Sequence, residues 1–264
     1  MKVVRDQMNR EVRLSANPYR IISLVPSQTE LLFDLGLTDA VIGITKFCIH
    51  PESWFKNKTR IGGTKNLDLD KIRTLQPDLI LGNKEENEQS QIEALESEFP
   101  VWMSDIHNLD GALEMILQVG LLCHKETQAL ALTHSIREQF SGLIPLPRPA
   151  QTLYLIWQNP YMTAGVNTFI NDMLGQCGFL NVISQPRYPE LTPSEIRELN
   201  PELILLSSEP YPFKEKHIAE FRKLCPQANI MLVDGEYFSW YGSRLLKASA
   251  YFRELLARLS ESRT

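Results

Sequence analysis

The sequence has no long hydrophobic run. No apolar stretch approaches the ~20 residues a membrane-spanning helix needs, so no segment reads as one. It also has no positive excess. Its 27 Lys and Arg stand against 32 Asp and Glu, a net charge of -5, and a binder of phosphate backbones needs the opposite balance. No nucleic-acid partner is expected. Cysteine is sparse. Cys48, Cys123, Cys177 and Cys225 lie far apart with no CxxC pair, which argues against a zinc knuckle and for buried thiols. The opening MKVVRDQMNREVRL is charged throughout, whereas a secretory signal needs an apolar stretch of ~7–15 residues. No signal peptide is read there, so the chain is expected to be cytoplasmic or written without its targeting segment. The motifs G-x-S-x-G, H-E-x-x-H, the P-loop and G-x-G-x-x-G are missing as well, and with them the common signatures of an enzyme. No catalytic residue is assigned.

What is present is a core-forming chain. Of 264 residues, 43% are hydrophobic, enough to bury most of an unfolded surface of this size. Residues 1–19 read as a strand pair joined by a polar turn at Asp6–Arg10. From Arg20 onward, short apolar runs that suit buried strands alternate with capped helical segments. Ser27 and Glu30 have capping-box spacing at the first helix. This alternation predicts an α/β fold with a largely parallel sheet over 20–108. A helical tract follows over 109–143, with a break at His124-Lys125. Pro145, Pro147 and Pro149 then forbid helix, and the alternation restarts over 144–264.

The two halves carry a repeat. Asp70–Leu81 (DKIRTLQPDLIL) and Ser194–Leu205 (SEIRELNPELIL) are identical at seven of twelve positions. Two copies at long spacing indicate a duplicated lobe rather than a solenoid. In open parallel sheets, ligands sit beyond the carboxyl ends of the strands, so the loops there hold the candidate residues. Cys48 and His50, two apart, face the same side if the segment is extended, and suit zinc, copper or a cobalt corrin. The plainer alternative is a buried thiol with a backbone-bonded histidine. Glu236, Phe238, Trp240, Tyr241 and Arg244 belong to a stretch too aromatic for an ordinary solvent loop. Its rings suit stacking on a planar ligand, and Arg244 adds a cation. A small satellite core is the alternative. Trp157 and Tyr161 follow the matching strand and extend the same wall. A metal-dependent enzyme would need Cys48, His50 and Glu236 to converge.

The segments RIISLVPSQTELLFDLGL, KIRTLQPDLIL and LIWQNPYMTAGVNTFINDMLGQCGF, with the terminal helix, resemble the class III periplasmic binding proteins, and most nearly their cobalamin-binding branch. The resemblance covers about Arg20 to Leu259. It implies two similar α/β lobes joined by a long rigid helix, with the ligand in a cleft between them. It implies a monomeric receptor for cobalamin, haem or a ferric siderophore that serves the membrane subunits of an ABC importer, in the periplasm or cell envelope. A cytoplasmic carrier of the same fold is the alternative. It places ligand-facing side chains at Phe47, Met162 and Tyr188, and polar replacements of expected tryptophans at Thr64 and Asn83. It also puts transporter docking on Asp70 and, because Ser194 is not acidic, on the adjacent Glu195.

Overall fold

The computed structural model describes residues 2–14 and 18–261, so Met1 and residues 15–17 of the predicted strand-pair segment, and 262–264 of the last segment, lie outside it. In chain order the elements are β1 (Lys2–Arg5), β2 (Glu11–Leu14), β3 (Ile21–Ser23), α1 (Pro26–Asp34), β4 (Val41–Ile44), α2 (Glu52–Asn57), β5 (Thr59–Arg60), α3 (Leu69–Leu75), β6 (Leu79–Asn83), α4 (Gln89–Glu96), β7 (Val101–Ser104), α5 (Leu109–Leu122), α6 (Glu126–Ser141), β8 (Ala150–Trp157), β9 (Tyr161–Thr163), α7 (Phe169–Gln176), β10 (Phe179–Asn181), β11 (Glu190–Leu191), α8 (Pro193–Leu199), β12 (Leu203–Ser207), α9 (Glu215–Leu224), β13 (Asn229–Val233), α10 (Glu236–Ser239) and α11 (Leu245–Glu261). The chain divides into two units. The first holds residues 1–106, 110–135 and 241–244, and the second holds 107–109, 136–240 and 245–264.

The first unit is built on a five-stranded, all-parallel sheet of order β5-β4-β3-β6-β7. Its central strands are apolar at nearly every position, because helices cover both faces of a parallel sheet; Ile21, Ile22, Leu79, Ile80 and Leu81 are wholly buried. The antiparallel hairpin β1–β2 adds a separate ribbon. Its turn is closed by Asp6, whose carboxylate accepts the amides of Met8 and Arg10 at 3.0 and 2.8 Å. The hairpin is tied to β7 by the Gln7 amide on the Met103 carbonyl at 3.1 Å. Helices α5 and α6 are separated at His124, which adopts φ +54°, where the sequence placed its break.

The second unit has a six-stranded sheet. The path β11-β9-β8-β12-β13 runs through it, and β10 pairs with β8 beside β9. Strands β8, β10, β12 and β13 are parallel, while β9 and β11 are antiparallel additions. The core gathers Leu153, Leu155, Ile196, Ile204, Leu206 and Phe221.

The repeat survives as structure. Helices α3 and α8 are both seven residues long, and both end on a left-handed residue, Gln76 at φ 44° and Asn200 at φ 43°. The proline that follows each is incompatible with continued helix. Each copy then leads into a five-residue, fully buried strand, β6 or β12, parallel to the first parallel strand of its own unit. At α1 the expected capping box does not form. The helix begins at Pro26 after Val25, with no side-chain cap, because the Glu30 carboxylate is committed to Arg244.

Candidate functional site

In each sheet the first parallel strand lies in the middle, and the chain moves to opposite sides of it in succession. In the first unit β3 has β4 on one side and β6 on the other. In the second unit β8 has β10 on one side and β12 on the other. The point where the direction reverses leaves a crevice at the carboxyl ends of the strands. It falls between β3 and β6 in one unit and between β8 and β12 in the other. The loops that follow these strands and their neighbours are therefore the candidate surfaces.

In the first unit the loop after β4 carries Phe47, Cys48 and His50. Phe47 is 51% exposed, with the Lys46 ammonium 5.1 Å from its ring centre. Its ring lies against Gly63, where even an added Cβ would come within 3.1 Å of it. Cys48 corrects the sequence reading. It is fully buried, its thiol lies 3.1 Å from the hydroxyls of both Thr29 and Thr45, and burial pushes its pKa up. A protonated thiol bonded on two sides does not share a face with His50, which is half-exposed. The predicted Cys48–His50 metal pair is therefore not supported. Among the described residues no three His, Cys, Asp or Glu side chains gather as a metal would require.

The loop after β6 is held from inside. Asn83 is buried, and its amide donates to the Ser104 hydroxyl at 3.0 Å. Its carbonyl oxygen accepts the Glu85 and Glu86 amides at 2.9 and 3.2 Å. The neighbouring Asn87 reaches the Thr64 carbonyl at 3.1 Å, and Thr64 is itself buried. Of the polar residues at the two expected tryptophan positions, Asn83 closes a turn with its side chain, and Thr64 offers its backbone carbonyl to Asn87.

In the second unit the ends of β8 and β12 meet through aromatic side chains. Trp157 is 38% exposed, and its ring packs edge-on to Tyr211 at 5.7 Å. Tyr161 and Met162 on β9 are half-buried, as is Tyr188 in the segment before β11. The Tyr161 hydroxyl donates to Glu220, and burial, reinforced by that carboxylate, raises its pKa to about 12. The phenol therefore stays protonated at any ordinary pH.

The aromatic stretch after β13 departs from its predicted role. Phe238 is fully buried between Tyr154 and Phe252, at 5.1 and 4.8 Å. Trp240 is 7% exposed, and its indole donates to Glu209 at 2.9 Å. Tyr241 is also buried. Phe238, on the short helix α10, thus belongs to an interior ring cluster with Tyr154, Tyr251 and Phe252. Arg244 is likewise not a ligand cation. Its guanidinium grips both oxygens of Glu30, at 2.8 and 2.9 Å, with both side chains 8% exposed. Glu236, at the start of α10, remains half-buried.

Asp70 is almost fully exposed and pairs with Arg73 at 3.0 Å. Glu195 is exposed but turned back on its own helix. Its carboxylate accepts the Thr192 amide at 2.6 Å and hydroxyl at 2.7 Å, which lowers its pKa. A pocket of about 270 Å³ lies along α8, lined by residues that include Val182, Leu191, Leu199, Glu195 and Glu198. None of the predicted ligand residues lines it. Sequence reasoning missed the second unit's half-buried chain of Gln158, Tyr211 and Glu220 with the buried His217. The one signal available was His217 and Glu220 three apart in a helical segment, which places them on one face.

A family model described as periplasmic binding protein matches residues 21–227. A vitamin B12-binding protein of Yersinia pestis is 24% identical over 194 residues, covering 71% of this chain and 69% of that protein. Among solved structures, a periplasmic haem-binding protein of Pseudomonas aeruginosa superposes with a TM-score of 0.77 at 18% identity, over 90% of this chain and 92% of that one. A petrobactin-binding protein of Bacillus subtilis gives a TM-score of 0.77 at 16% identity, over 97% and 98%. At such identities the structural likeness shows the fold alone. The family match, spanning both copies of the repeat, shows that this chain belongs to the periplasmic binding protein family.

Proposed function

We propose that this protein is the solute-binding component of an ABC importer and captures a cobalamin-like ligand or another metal chelate at the carboxyl ends of its strands. One observation carries the reading: large apolar rings stand exposed there. Phe47 follows β4 and Trp157 ends β8, at 51% and 38% exposure, although the other tryptophans are buried. An exposed ring is a stacking surface for a planar or greasy chelate. Met162, Tyr161, Tyr188 and Glu236, each half-buried, would complete the contacts, with His50 as a polar donor. The similarity to proteins named for vitamin B12, haem and petrobactin supports this ligand class. The role is to enclose and orient the ligand, in the periplasm or cell envelope. Asp70 and Glu195 are the docking candidates.

The Glu195 cap favours a second reading, a carrier of the same fold not coupled to transport. Its carboxylate is occupied by Thr192 and would have to leave that cap to meet an arginine.

Titration against cyanocobalamin, dicyanocobinamide, haemin and ferrichrome, followed by absorbance and calorimetry, tests the reading. Binding of one of them at micromolar concentrations, weakened by Trp157→Ala and Phe47→Ala, is expected. No binding by any of the four at tens of micromolar would refute the chelate assignment. Reconstitution with candidate importer subunits, comparing wild type with Asp70→Ala, separates the transport-coupled reading from the carrier reading.

A further inference from the structure

Behind Trp157 runs an unbroken chain of polar contacts, all within the second unit. Helix α9 presents His217 and Glu220 three residues apart, on one face. His217 is buried at 3% exposure. Its Nδ1 lies 2.8 Å from the Lys214 amide and 3.2 Å from the Lys214 carbonyl oxygen, and its Nε2 lies 3.3 Å from the Tyr211 hydroxyl. In the tautomer whose Nδ1 accepts the Lys214 amide, Nε2 carries the proton and faces Tyr211. Tyr211 in turn donates to the Gln158 side-chain carbonyl at 2.7 Å. The Gln158 amide donates to Glu220 at 2.9 Å, and the Tyr161 hydroxyl donates to the other oxygen of that carboxylate. In that tautomer the donors run one way, from His217 through Tyr211 and Gln158 to Glu220.

Gln158 is the residue after Trp157, and Tyr211 is the ring on which Trp157 packs. The chain therefore grips the Trp157 indole twice, through its neighbour in sequence and through its neighbour in space. Rings around His217 fill the remaining space: Tyr211 at 5.6 Å and Phe213 at 5.3 Å. A helix start is capped equally well by Ser, Thr, Asp or Asn, so capping alone does not call for a histidine; Tyr161 and Tyr211 also pack against the core that holds Phe213 and Phe221.

We propose that His217 and Glu220 are positioning residues, which act through Tyr211 and Gln158 to hold the Trp157 ring in a fixed pose before ligand arrives. Fixing a contact side chain in advance removes an ordering cost that binding would otherwise meet. The proposal rests on the reading of Trp157 as a ligand contact, but its central claim concerns the free protein and is tested there.

Trp157 is the only tryptophan among the described residues with substantial exposure. Trp54, Trp102 and Trp240 are 2%, 0% and 7% exposed. Acrylamide quenching of the free protein therefore reports on Trp157, with Trp157→Phe to assign the signal. The two histidine roles separate by shape. In His217→Asn the side-chain oxygen stands near the Nδ1 position and keeps the helix cap, but it does not reach Tyr211. In His217→Gln the amide reaches Tyr211. His217→Asn, Tyr211→Phe and Glu220→Gln should each raise the quenchable fraction and the amplitude of Trp157 anisotropy decay, with the far-ultraviolet spectrum unchanged. His217→Gln should restore the wild-type signal. Losing one hydrogen bond of the chain corresponds to roughly a tenfold loosening of the fixed pose.

If His217→Asn folds and its Trp157 quenching and anisotropy equal the wild type, the proposal is overturned. If His217→Asn unfolds, Tyr211→Phe, which keeps the ring, decides by the same two readings. Titration with cyanocobalamin, dicyanocobinamide, haemin and ferrichrome keeps the two claims apart. A Trp157→Ala variant that binds them as wild type does would remove the ligand role of Trp157 and leave the positioning result standing.

Discussion

Arg244 sits on a segment of four residues, 241–244, that belongs to the first unit although the chain on both sides of it belongs to the second. Its ion pair with Glu30 of α1 is buried. Both side chains are 8% exposed, and the guanidinium fork meets both carboxylate oxygens, at 2.8 and 2.9 Å. An exposed pair would contribute about 0–1 kcal/mol. Here Arg244→Met removes the guanidinium from the buried Glu30 carboxylate, and removing one member of such a pair costs about 3–5 kcal/mol. Glu30→Leu should cost a similar amount. The double variant removes both charges and fills the space with apolar atoms, so most of the loss should be recovered, leaving about 0–2 kcal/mol. Urea unfolding of the four proteins, followed by circular dichroism, closes the cycle. A coupling energy of at least about 4 kcal/mol, with the double variant more stable than either single one, is expected. Single variants that each cost under about 1 kcal/mol, with additive effects, would refute the reasoning and show the pair to be solvated. Such an outcome would also reopen Arg244 as a cation available to a ligand.

All four cysteines are buried and unbonded to one another, and burial raises the pKa of each, that of Cys123 to about 12. Native protein at pH 8 should therefore react with Ellman's reagent far more slowly than an exposed thiol, and all four should titrate at once in guanidinium; fast reaction of any one in the native state contradicts its placement. An added Cβ at Gly165 would stand 1.9 Å from the Gln185 carbonyl oxygen, whereas one at Gly175 in α7 meets nothing within 4 Å. Gly165→Ala should destabilise by about 1–3 kcal/mol and Gly175→Ala should stabilise by about 0.4–1 kcal/mol; equal effects in thermal melts would contradict the packing. The Glu195 carboxylate is held below its ordinary pKa by the Thr192 amide and hydroxyl. Its contribution to the α8 start is present above the ordinary glutamate value and is lost as the pH falls through the lowered one. Carboxyl NMR titration should show that low value in the wild type and a rise towards the ordinary value in Thr192→Ala; no change between the two would break the cap assignment.

The repeat was readable because it is local. A capped helix, a left-handed stop, a proline and an apolar strand follow one another within a dozen residues, and each step leaves a residue-type signature. Helix α3 lies at 69–75 and stops at the left-handed Gln76 before Pro77. The site was less readable, because the side a ring faces depends on partners distant in sequence. The density of aromatics in Tyr237–Tyr241 suggested a stacking surface for a ligand, with a satellite core as the alternative, and Phe238 lies in the interior. What turned Phe238 inward was Tyr154 and Phe252, which lie in two other elements. The spacing of Cys48 and His50 assumed an extended backbone. The Cys48 amide instead folds back on the Thr45 carbonyl at 3.2 Å, and its thiol turns towards Thr29 and Thr45. For Arg244 the missing information was Glu30, 214 residues away.

The duplication reaches beyond the repeated segment into the loop that follows it. Strand β6 ends on Asn83 and β12 on Ser207, and both are buried polar residues at the reversal point of their sheet. Asn83 gathers two amides of its own loop. The Ser207 hydroxyl donates to the Glu209 carbonyl at 2.6 Å and receives the Tyr154 hydroxyl at 3.1 Å. A buried polar group must find partners, and in each unit these partners are the residues that shape the strand's carboxyl end. The same device thus fixes one loop in both units, while the loops beside it diverge: Phe47 stands exposed after β4 and Trp157 at the end of β8. A duplicated scaffold with rigid inner turns and unlike exposed rings keeps its fold while the ligand surface changes. That is a physical reason the fold is shared at identities of 16% and 18%.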